Sequence, residues 1–571
     1  MLFLLVVAWN ALARGAVYVS PAGSDAADGS MGHPVATLEH ARDLCRMIPP
    51  GQPRELAVMD GDYFNVNLKL DARDSGLTIA AVPGAKPRLY GGVRLNDWQP
   101  DGPKFYAAKL PAGMDPAVQP RMLEIDGAMA ARSRLPETGT FTHTSRFDVA
   151  WLSTTGGGWQ RKPTTQELTT LRYLPSDLGP WLEPRNAEIT VYHMWDESTV
   201  GVASIGASNH LLTLTPECGY PPGAFNVHTY VLWNLREGML RPGQWYHDRV
   251  GGRLVYWPLP GQDMSKVTAL VPTTLSVIKF GGTPEAAIHD VAVKGLSIHL
   301  TSVPLVSGGE AADHFDGAVA LEYAHHCLLS GLEVSRVAAH TISGRNDLRD
   351  VTVENCRISQ CGGGGIYVGD SHAIIRNNRI ESVGLMFPSA VGIYRGGDHC
   401  LISHNLVHDC TYCGINFGGS ANVIESNRIY DCMKSLRDGG AIYCFAGRDC
   451  ILRNNVYVVP DGDARFAFAR SAGFRLEKNI IWARGKLSFS GIDAVTEAAG
   501  NVFYSASGQI VSVHLNIYNP TSQVPGIFGD NATTDPLFVN LERDWHFAPD
   551  SAAAKYGIVP LDVSAAGPEE R

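Results

Sequence analysis

The segment His399-Cys-Leu-Ile-Ser-His-Asn405 returns as Ala421-Asn-Val-Ile-Glu-Ser-Asn427 and again as Asp449-Cys-Ile-Leu-Arg-Asn-Asn455. Related segments start at Asp290, His326, Asp350, His372 and Gly473, and from His326 onward the starts lie 22 to 28 residues apart. A unit of this length with alternating apolar residues cannot bury its own hydrophobic face, so neighbouring units must stack. Gly-rich turns, β-branched residues and the lack of helical periodicity exclude leucine-rich and helical repeats. The pattern predicts a parallel β-helix.

The last position of the repeated segment is an Asn in successive units: Asn378, Asn405, Asn427, Asn455, Asn479 and Asn501. This column predicts a ladder of side-chain amides at one repeated turn. Asn suits such a turn because it tolerates left-handed backbone angles and hydrogen-bonds locally. Several Cys also fall into register, which indicates small buried apolar side chains. The sequence leaves open the alternative that Cys410 and Cys432, in neighbouring coils, form a disulfide.

Composition limits the classes of partner. The chain has 571 residues, 45% hydrophobic and 18% charged, with a formal net charge of −10. The negative charge argues against nucleic acid or an anionic membrane surface and favours an uncharged ligand. Residues 1–13 resemble a signal peptide, with an apolar run and an Ala11-Leu-Ala13 cleavage pattern. No later stretch is apolar enough to span a membrane. We therefore expect export to the periplasm or the cell exterior.

Four segments follow the leader. Residues 14–97 are predicted to hold an N-terminal cap and the first coils, with Thr37 as the N-cap of a helix that buries Leu38, Ala41 and Cys45. Residues 98–271 lack repeats and predict an inserted β-rich module. Residues 272–515 carry the β-helix, and residues 516–571 are expected to form an irregular tail.

The chain resembles secreted right-handed parallel β-helix enzymes near glycoside hydrolase family 141. The matching phrases are Tyr18-Val-Ser-Pro-Ala-Gly-Ser-Asp25, Pro34-Val-Ala-Thr-Leu38, Pro83-Gly-Ala-Lys-Pro87, Val191-Tyr-His-Met-Trp-Asp-Glu-Ser198, Gly243-Gln-Trp-Tyr-His-Asp248, Leu254-Val-Tyr-Trp-Pro258 and Arg437-Asp-Gly-Gly-Ala-Ile-Tyr443. The resemblance implies a right-handed helix and a hydrolase of the α-L-fucosidase or xylanase type that acts on plant cell-wall glycans. Fold is carried over more securely than substrate.

A second column follows the buried Ile of each coil: Tyr367, Tyr394, Asn416 and Tyr443. Because strand side chains alternate, these residues should point outward from one face. A row of aromatic rings suits stacking on sugars, and a purely structural ladder is the alternative. Arg395 and Asp370 lie beside this column, and His408 is a further candidate on the face. From the inserted module we select Trp195 and His193 as residues that reach the same ligand.

Glycosidic bond hydrolysis generally requires two carboxyl groups. Asp438 is the first candidate because it breaks a column otherwise held by Gly362, Ser389 and Thr411, and two glycines beside it would leave room for a ligand. Asp398 is the second, on the resemblance, although the alignment puts it at the opposite end of the strand. Asp370 is its substitute.

The predicted function is an exported glycoside hydrolase without metal or cofactor, acting on an oligo- or polysaccharide. Two alternatives remain open on the same fold. A polysaccharide lyase would use Ca²⁺, but no coil holds a cluster of three or four acidic residues. A non-catalytic glycan-binding solenoid needs no carboxyl pair at all.

Overall fold

The computed structural model describes residues 15–567 apart from Pro50, Pro116, 153–157, Asp370, Arg395, Arg437, 514–529, 542–543 and 564–565. The predicted signal peptide lies outside these residues. The described chain is all-β in class and forms a right-handed parallel β-helix whose coils contribute to three parallel sheets. The fold class is therefore confirmed. In the described part of the chain, none of the helices has the length and apolar character needed to cross a membrane.

Three sheets build the solenoid, one strand of each coil entering each sheet. Sheet 1 contains Ala16–Val19, Arg54–Val58, Leu77–Ala81, Ala292–Lys294, Leu328–Ser330, Thr352–Glu354, Ile374–Arg376, Leu401–Ser403, Val423–Glu425, Ile451–Arg453, Phe474–Glu477 and Val495–Ala499. Sheet 2 contains Leu68–Leu70, Ile278–Gly281, Gly317–Glu322, His340–Arg345, Ile366–Tyr367, Ile393–Tyr394, Ile415–Ser420, Ile442–Arg448, Ala464–Ala469, Leu487–Ser490 and Ile510–Val513. Sheet 3 contains Asp62–Tyr63, Arg88–Tyr90, Ser297–His299, Glu333–Val337, Arg357–Cys361, Arg379–Val383, Leu406–Cys410, Arg428–Tyr430, Val456–Val459, Ile480–Ala483 and Val502–Ser505.

The Asn column forms the predicted ladder. Asn378 Nδ2 donates to Asn405 Oδ1 (3.0 Å), and Asn405 Nδ2 donates to Asn427 Oδ1 (3.0 Å). The ladder continues through Asn455, Asn479, Asn501 and Asn531. From Asn405 to Asn531, each Oδ1 also accepts the backbone N–H of the Asn one coil earlier, and Asn378 Oδ1 accepts that of Cys356. Buried amides are satisfied by their own copies in the next coil.

The ladder Asn residues do not themselves adopt left-handed backbone angles. Left-handed angles occur one residue before the ladder Asn, at Asn377, His404 and Ser426. Asn is therefore used at the ladder for its side-chain amide, which makes the buried hydrogen bonds, and not for its tolerance of left-handed angles. Every Cys of the chain is a buried free thiol, and Cys410 and Cys432 are among them.

Between Gly92 and Pro272 the chain leaves the solenoid and forms a module of mostly antiparallel sheets. Its strands are Gly92–Leu95, Gln99–Asp101, Phe105–Lys109, Glu124–Ile125, Ala128–Met129, Ala131–Arg132, Arg134–Leu135, Phe141–Thr142, Thr170–Arg172, Glu188–Tyr192, Glu197–Gly206, Leu211–Thr215, Thr229–Trp233, Gln244–Asp248, Arg253–Tyr256 and Ala269–Pro272. The module has apolar clusters of its own, one around Ile189 and Tyr230 and another around Trp245 and Leu254.

The N-terminal helix Leu38–Cys45 is confirmed. Thr37 Oγ1 accepts from His40 N (3.2 Å), and Leu38, Ala41 and Cys45 are buried. The helix packs against Ala16–Val19 and Arg54–Val58, the first strands of Sheet 1, and covers that end of the solenoid.

The C-terminal segment is more regular than expected. It contains strands Phe538–Asn540 and Asp544–Phe547 and helix Ala552–Lys555. Ala553 and Ile558 pack on outward apolar residues of Sheet 3, including Ile480 and Trp482. The segment is regular because it covers these apolar side chains. The remaining short elements are helix Thr165–Thr169, strands Ile288–His289 and Ala324–His325, and 3₁₀ turns at Ala72–Asp74, Ala224–Asn226, Arg236–Gly238, Glu310–Ala312 and Ile492–Ala494.

Candidate active site

The predicted Tyr column exists, but it is not an open surface. Tyr394, Asn416 and Tyr443 are aligned across neighbouring strands of Sheet 2, and the Tyr367 ring lies 5.0 Å from that of Tyr394. Tyr367 is only 2% exposed and Asn416 only 6%. The alternation that points these side chains away from the coil interior is confirmed, but other parts of the chain cover Tyr367 and Asn416.

Tyr367 anchors a connection that covers the column. Its Oη donates to Ala311 O (2.8 Å) and accepts from Val391 N (2.8 Å), and its ring stacks on His340 at 3.7 Å. Ala311 belongs to the chain between Ser297–His299 and Gly317–Glu322. Tyr367 is therefore committed to protein contacts, whereas Tyr394 and Tyr443 are half-buried.

The inserted module reaches the column through one hairpin, formed by Glu188–Tyr192 and Glu197–Gly206. Trp195 lies in the turn of this hairpin and packs in one apolar cluster with Tyr394 and Tyr443. Glu197 accepts hydrogen bonds from Ser389 N (2.8 Å) and Ser389 Oγ (3.1 Å) of the solenoid. The hairpin therefore forms a wall beside the Tyr column.

Asp438 lies in the turn before Ile442–Arg448. Tyr412 Oη donates to Asp438 Oδ1 (2.9 Å), and Arg465 Nη1 donates to the backbone oxygen of Asp438 (2.6 Å). Burial raises the pKa of Asp438 to about 6, although the Tyr412 hydrogen bond and the Arg465 charge act to lower it. The carboxyl group can therefore gain or lose a proton near neutral pH.

The two glycines after Asp438 serve packing, so the expectation that they leave room for a ligand was wrong. A Cβ on Gly439 would lie 2.6 Å from Cys413 Sγ, and one on Gly440 would lie 2.5 Å from Arg465 O. The backbone passes so close to its neighbours that no side chain fits there.

Two further carboxyl groups, those of Asp196 and Glu310, lie close enough to Asp438 to interact with it electrostatically. Asp196, next to Trp195, is 1% exposed, and its Oδ1 lacks a hydrogen-bond partner among the described residues. Burial raises the pKa of Asp196 well above its usual range, with further contributions from Glu197, Glu310 and Asp438. Glu310 lies exposed at the rim; desolvation in the cleft and the Asp313 charge raise its pKa. Like charges gathered with little cationic compensation are typical of functional sites.

Asp196 and Glu310 line a cleft of about 740 Å³, together with Tyr220, His314 and the Pro216–Gly219 loop. The Asp438 charge acts on Asp196, on Tyr443 and on Tyr412. The module hairpin and the Glu310 turn thus place carboxyl groups in one cleft, and the coil turn before Ile442 places Asp438 close enough for its charge to act on Asp196.

Asp398 does not join this group. It is exposed, and its Oδ1 accepts from Ser420 N (2.6 Å) at the far end of the Sheet 2 strands. Asp438 precedes strand Ile442–Arg448, whereas Asp398 follows strand Ile393–Tyr394. The two carboxylates therefore lie at opposite ends of the Sheet 2 strands.

The other predicted residues divide into three groups. His408 lies in Sheet 3, paired with Glu381 (3.1 Å) and stacked on Tyr430, so it does not share the Tyr face. His193 is buried and hydrogen-bonded to Ser198 Oγ (3.1 Å); burial lowers its pKa to about 3 and keeps it neutral. Asp370 and Arg395 lie outside the described residues.

The sequence interpretation did not select Asp196 and Glu310 as candidate site residues. Asp196 stands within Val191-Tyr-His-Met-Trp-Asp-Glu-Ser198, one of the phrases that carries the resemblance, so a signal for it was present. Glu310, in Gly308-Gly-Glu310, carries no such signal. Across the described residues, no group of three or more His, Cys, Asp or Glu is arranged to hold a metal ion.

Comparisons with known proteins agree with the fold. A model described as "Right handed beta helix region" matches residues 284–384 and 338–507. A solved structure titled "Glycoside hydrolase" has a TM-score of 0.67 and 17% identity, covering 88% of this chain and 96% of its own. A structure of XylC with xylose has a TM-score of 0.48 and 13% identity, covering 91% and 82%.

A GH136 lacto-N-biosidase from Eubacterium ramulus has a TM-score of 0.42 and 14% identity, covering 92% of this chain and 68% of its own. Among curated proteins there is no significant sequence match. At these identities the likeness defines a right-handed β-helix and no particular activity.

Proposed function

We propose that the protein is a glycoside hydrolase whose catalytic groups are Asp438 and Asp196. The carrying observation is that Asp196 and Glu310 line one cleft and interact electrostatically with Asp438, with the pKa of each raised. Two carboxyl groups whose environments separate their pKa values provide an acid and a base for glycosidic bond cleavage.

The roles follow from the hydrogen bonds. Asp196 has no partner for Oδ1 among the described residues and the more strongly raised pKa, so it holds its proton and acts as the general acid. Asp438 receives a hydrogen bond from Tyr412 and lies near Arg465, so it ionises more readily and acts as nucleophile or base. Glu310 at the rim contacts the substrate, and its negative charge raises the pKa of both Asp196 and Asp438.

The proposed substrate is an oligo- or polysaccharide of the plant cell wall, with an α-L-fucoside or a xylan-type bond at the point of cleavage. Trp195, Tyr394 and Tyr443 offer ring faces for sugars along one wall. The solved "Glycoside hydrolase" structure that shares the fold along 88% of this chain is consistent with this class of reaction. Export of the protein is part of the proposal, on the signal-peptide pattern of residues 1–13.

Digestion of a panel of plant cell-wall glycans tests the proposal by the chemistry of the products. A hydrolase releases reducing sugars without ultraviolet absorbance, and chelators leave the rate unchanged. Asp438→Asn should abolish the release. Products that carry a 4,5-unsaturated uronate and disappear with EDTA would instead establish a Ca²⁺-dependent lyase. Saturable glycan binding without any product would establish the binding solenoid.

A further inference from the structure

A second group of charges is buried in the module, away from the cleft. Glu188 is fully buried and pairs with three guanidinium groups: Arg121 Nε at 3.3 Å, Arg132 Nη2 at 2.8 Å, and Arg249 Nη2. One carboxylate balances only one of the three positive charges. His247, which lies beside them, adds no further positive charge, because burial lowers its pKa to about 3 and leaves it neutral.

The guanidinium of Arg121 is incompletely bonded. Its Nη1 donates to Val303 O, whereas Nη2 is buried without a hydrogen-bond partner among the described residues. The Nε of Arg132 is in the same state. A buried cationic donor with no acceptor is costly, so a protein that keeps one has a use for it.

The side chains of Arg121 and Arg132 line a cavity of about 180 Å³. Its lining includes Arg121, Arg132, Thr190, Thr199, Trp233 and Phe387, with exposed Leu385 at the edge. Its lining contains no acidic residue and shares none with the cleft of Asp196 and Glu310. The volume lies below the roughly 300 Å³ at which pockets for drug-sized ligands begin. A single sugar ring or a smaller molecule is the appropriate size.

We propose that this cavity binds a small carboxylate-bearing ligand, no larger than one sugar acid. The carboxylate would face Arg121 and Arg132, whose planar forks match its two oxygens and whose surplus charge it offsets. Trp233 and Phe387 would contact the apolar part of the ligand. The site is separate from the proposed hydrolase cleft and does not depend on its activity.

Thermal unfolding with added ligands provides the test. The ligands are sodium glucuronate, sodium acetate, glucose, sodium sulfate and sodium chloride, the salts at matched ionic strength. At saturating concentration the carboxylates should raise Tm by about 2 °C or more, since a ligand bound only to the native state stabilises it. Glucose, sulfate and chloride should not. Stronger stabilisation by glucuronate assigns a sugar acid, and equal stabilisation by acetate assigns a small carboxylate.

Three variants make the test specific. Arg132→Gln should lose at least two thirds of the shift relative to its own ligand-free Tm, whereas Arg185→Gln, an exposed residue paired with Glu183, should keep it. Asp438→Asn should also keep it, because that residue belongs to the other site. The proposal is overturned if carboxylates do not stabilise the wild type, or if sulfate replaces them. Loss of the shift in Asp438→Asn, or its full retention in Arg132→Gln, also overturns it. Calorimetric titration of the wild type gives the same decision if Arg132→Gln does not fold.

Discussion

The coils and the module junction treat buried polar groups in opposite ways. In the coils, each ladder Asn finds its partner in the next copy of itself, so Asn427 both accepts from Asn405 and donates to Asn455. At the junction, Asp196 Oδ1 is buried without a partner in the described chain, and Glu197 accepts only from Ser389. Repetition satisfies polar groups automatically, whereas a unique contact between two bodies leaves some of them available for chemistry.

The largest effect is expected at the junction, from Asp196→Asn. The amide keeps the size of the side chain but cannot supply the proton, so kcat should fall by at least about 10²-fold. The same variant should unfold no more easily than the wild type at pH 7, because it removes a carboxyl that is costly to ionise. Steady-state kinetics and chemical denaturation measure the two quantities.

Glu217→Gln is the matched control for Asp196→Asn. Glu217 lines the same cleft but is exposed, so its loss should change kcat by less than about threefold. Equal losses in both variants would show that the cleft needs negative charge in general and would remove the acid role of Asp196.

In the coils, Asn427→Ala tests how much the Asn ladder contributes to stability. It leaves the backbone N–H of Asn405 and the side chains of Asn405 and Asn455 without their ladder partner. The free energy of unfolding should fall by about 2 kcal/mol, within the cost of unsatisfied buried groups. Urea denaturation measures it, and activity should persist while the protein is folded.

Glu425→Ala is the control for the ladder variant, since Glu425 lies two residues away and makes a surface ion pair with Arg453. That pair should contribute less than about 1 kcal/mol. A loss at Glu425 as large as that at Asn427 would mean that the ladder has no special role in stability.

The pH dependence of stability sharpens the comparison further. Burial raises the pKa of Glu197 to about 8, so the folded state binds a proton that the unfolded chain releases at lower pH. Stability should therefore fall as the pH rises from about 5 to 8, by about 1.4 kcal/mol per pH unit from this carboxyl. Urea midpoints across that range should show a smaller slope for Glu197→Gln. An unchanged slope would contradict the burial of Glu197 against Ser389.

The smallest effect is expected from Tyr412→Phe. Without the donated hydrogen bond, the pKa of Asp438 should rise, and the acidic limb of the pH–rate profile should move to higher pH. The rate at the optimum should fall about three- to tenfold. A fall in rate with no shift of the limb would indicate a packing role alone.

The contrast also explains which features the sequence could predict. The Asn427 ladder and the Tyr column follow from local patterns, because each coil copies its neighbour in a fixed register. The Thr37 cap follows from the residues at the start of its own helix. The cover over Tyr367 could not be foreseen, since alternation gives a side chain's direction but not what packs on it. The contact of Glu197 with Ser389 joins residues 192 apart and repeats nowhere. No pattern could therefore bring Asp196 to Asp438.

The most direct test of the proposed site is the activity of Asp438→Asn beside Asp398→Asn on a glycan that the wild type cleaves. Both replacements remove one carboxylate from a turn next to a Sheet 2 strand, but Asp438 is close enough for its charge to act on Asp196, whereas Asp398 lies at the far end of the strands. The account predicts a fall of at least about 10²-fold for Asp438→Asn, with its Tm near that of the wild type, and less than about threefold for Asp398→Asn. A folded Asp438→Asn with full activity, or the larger loss in Asp398→Asn, would contradict it.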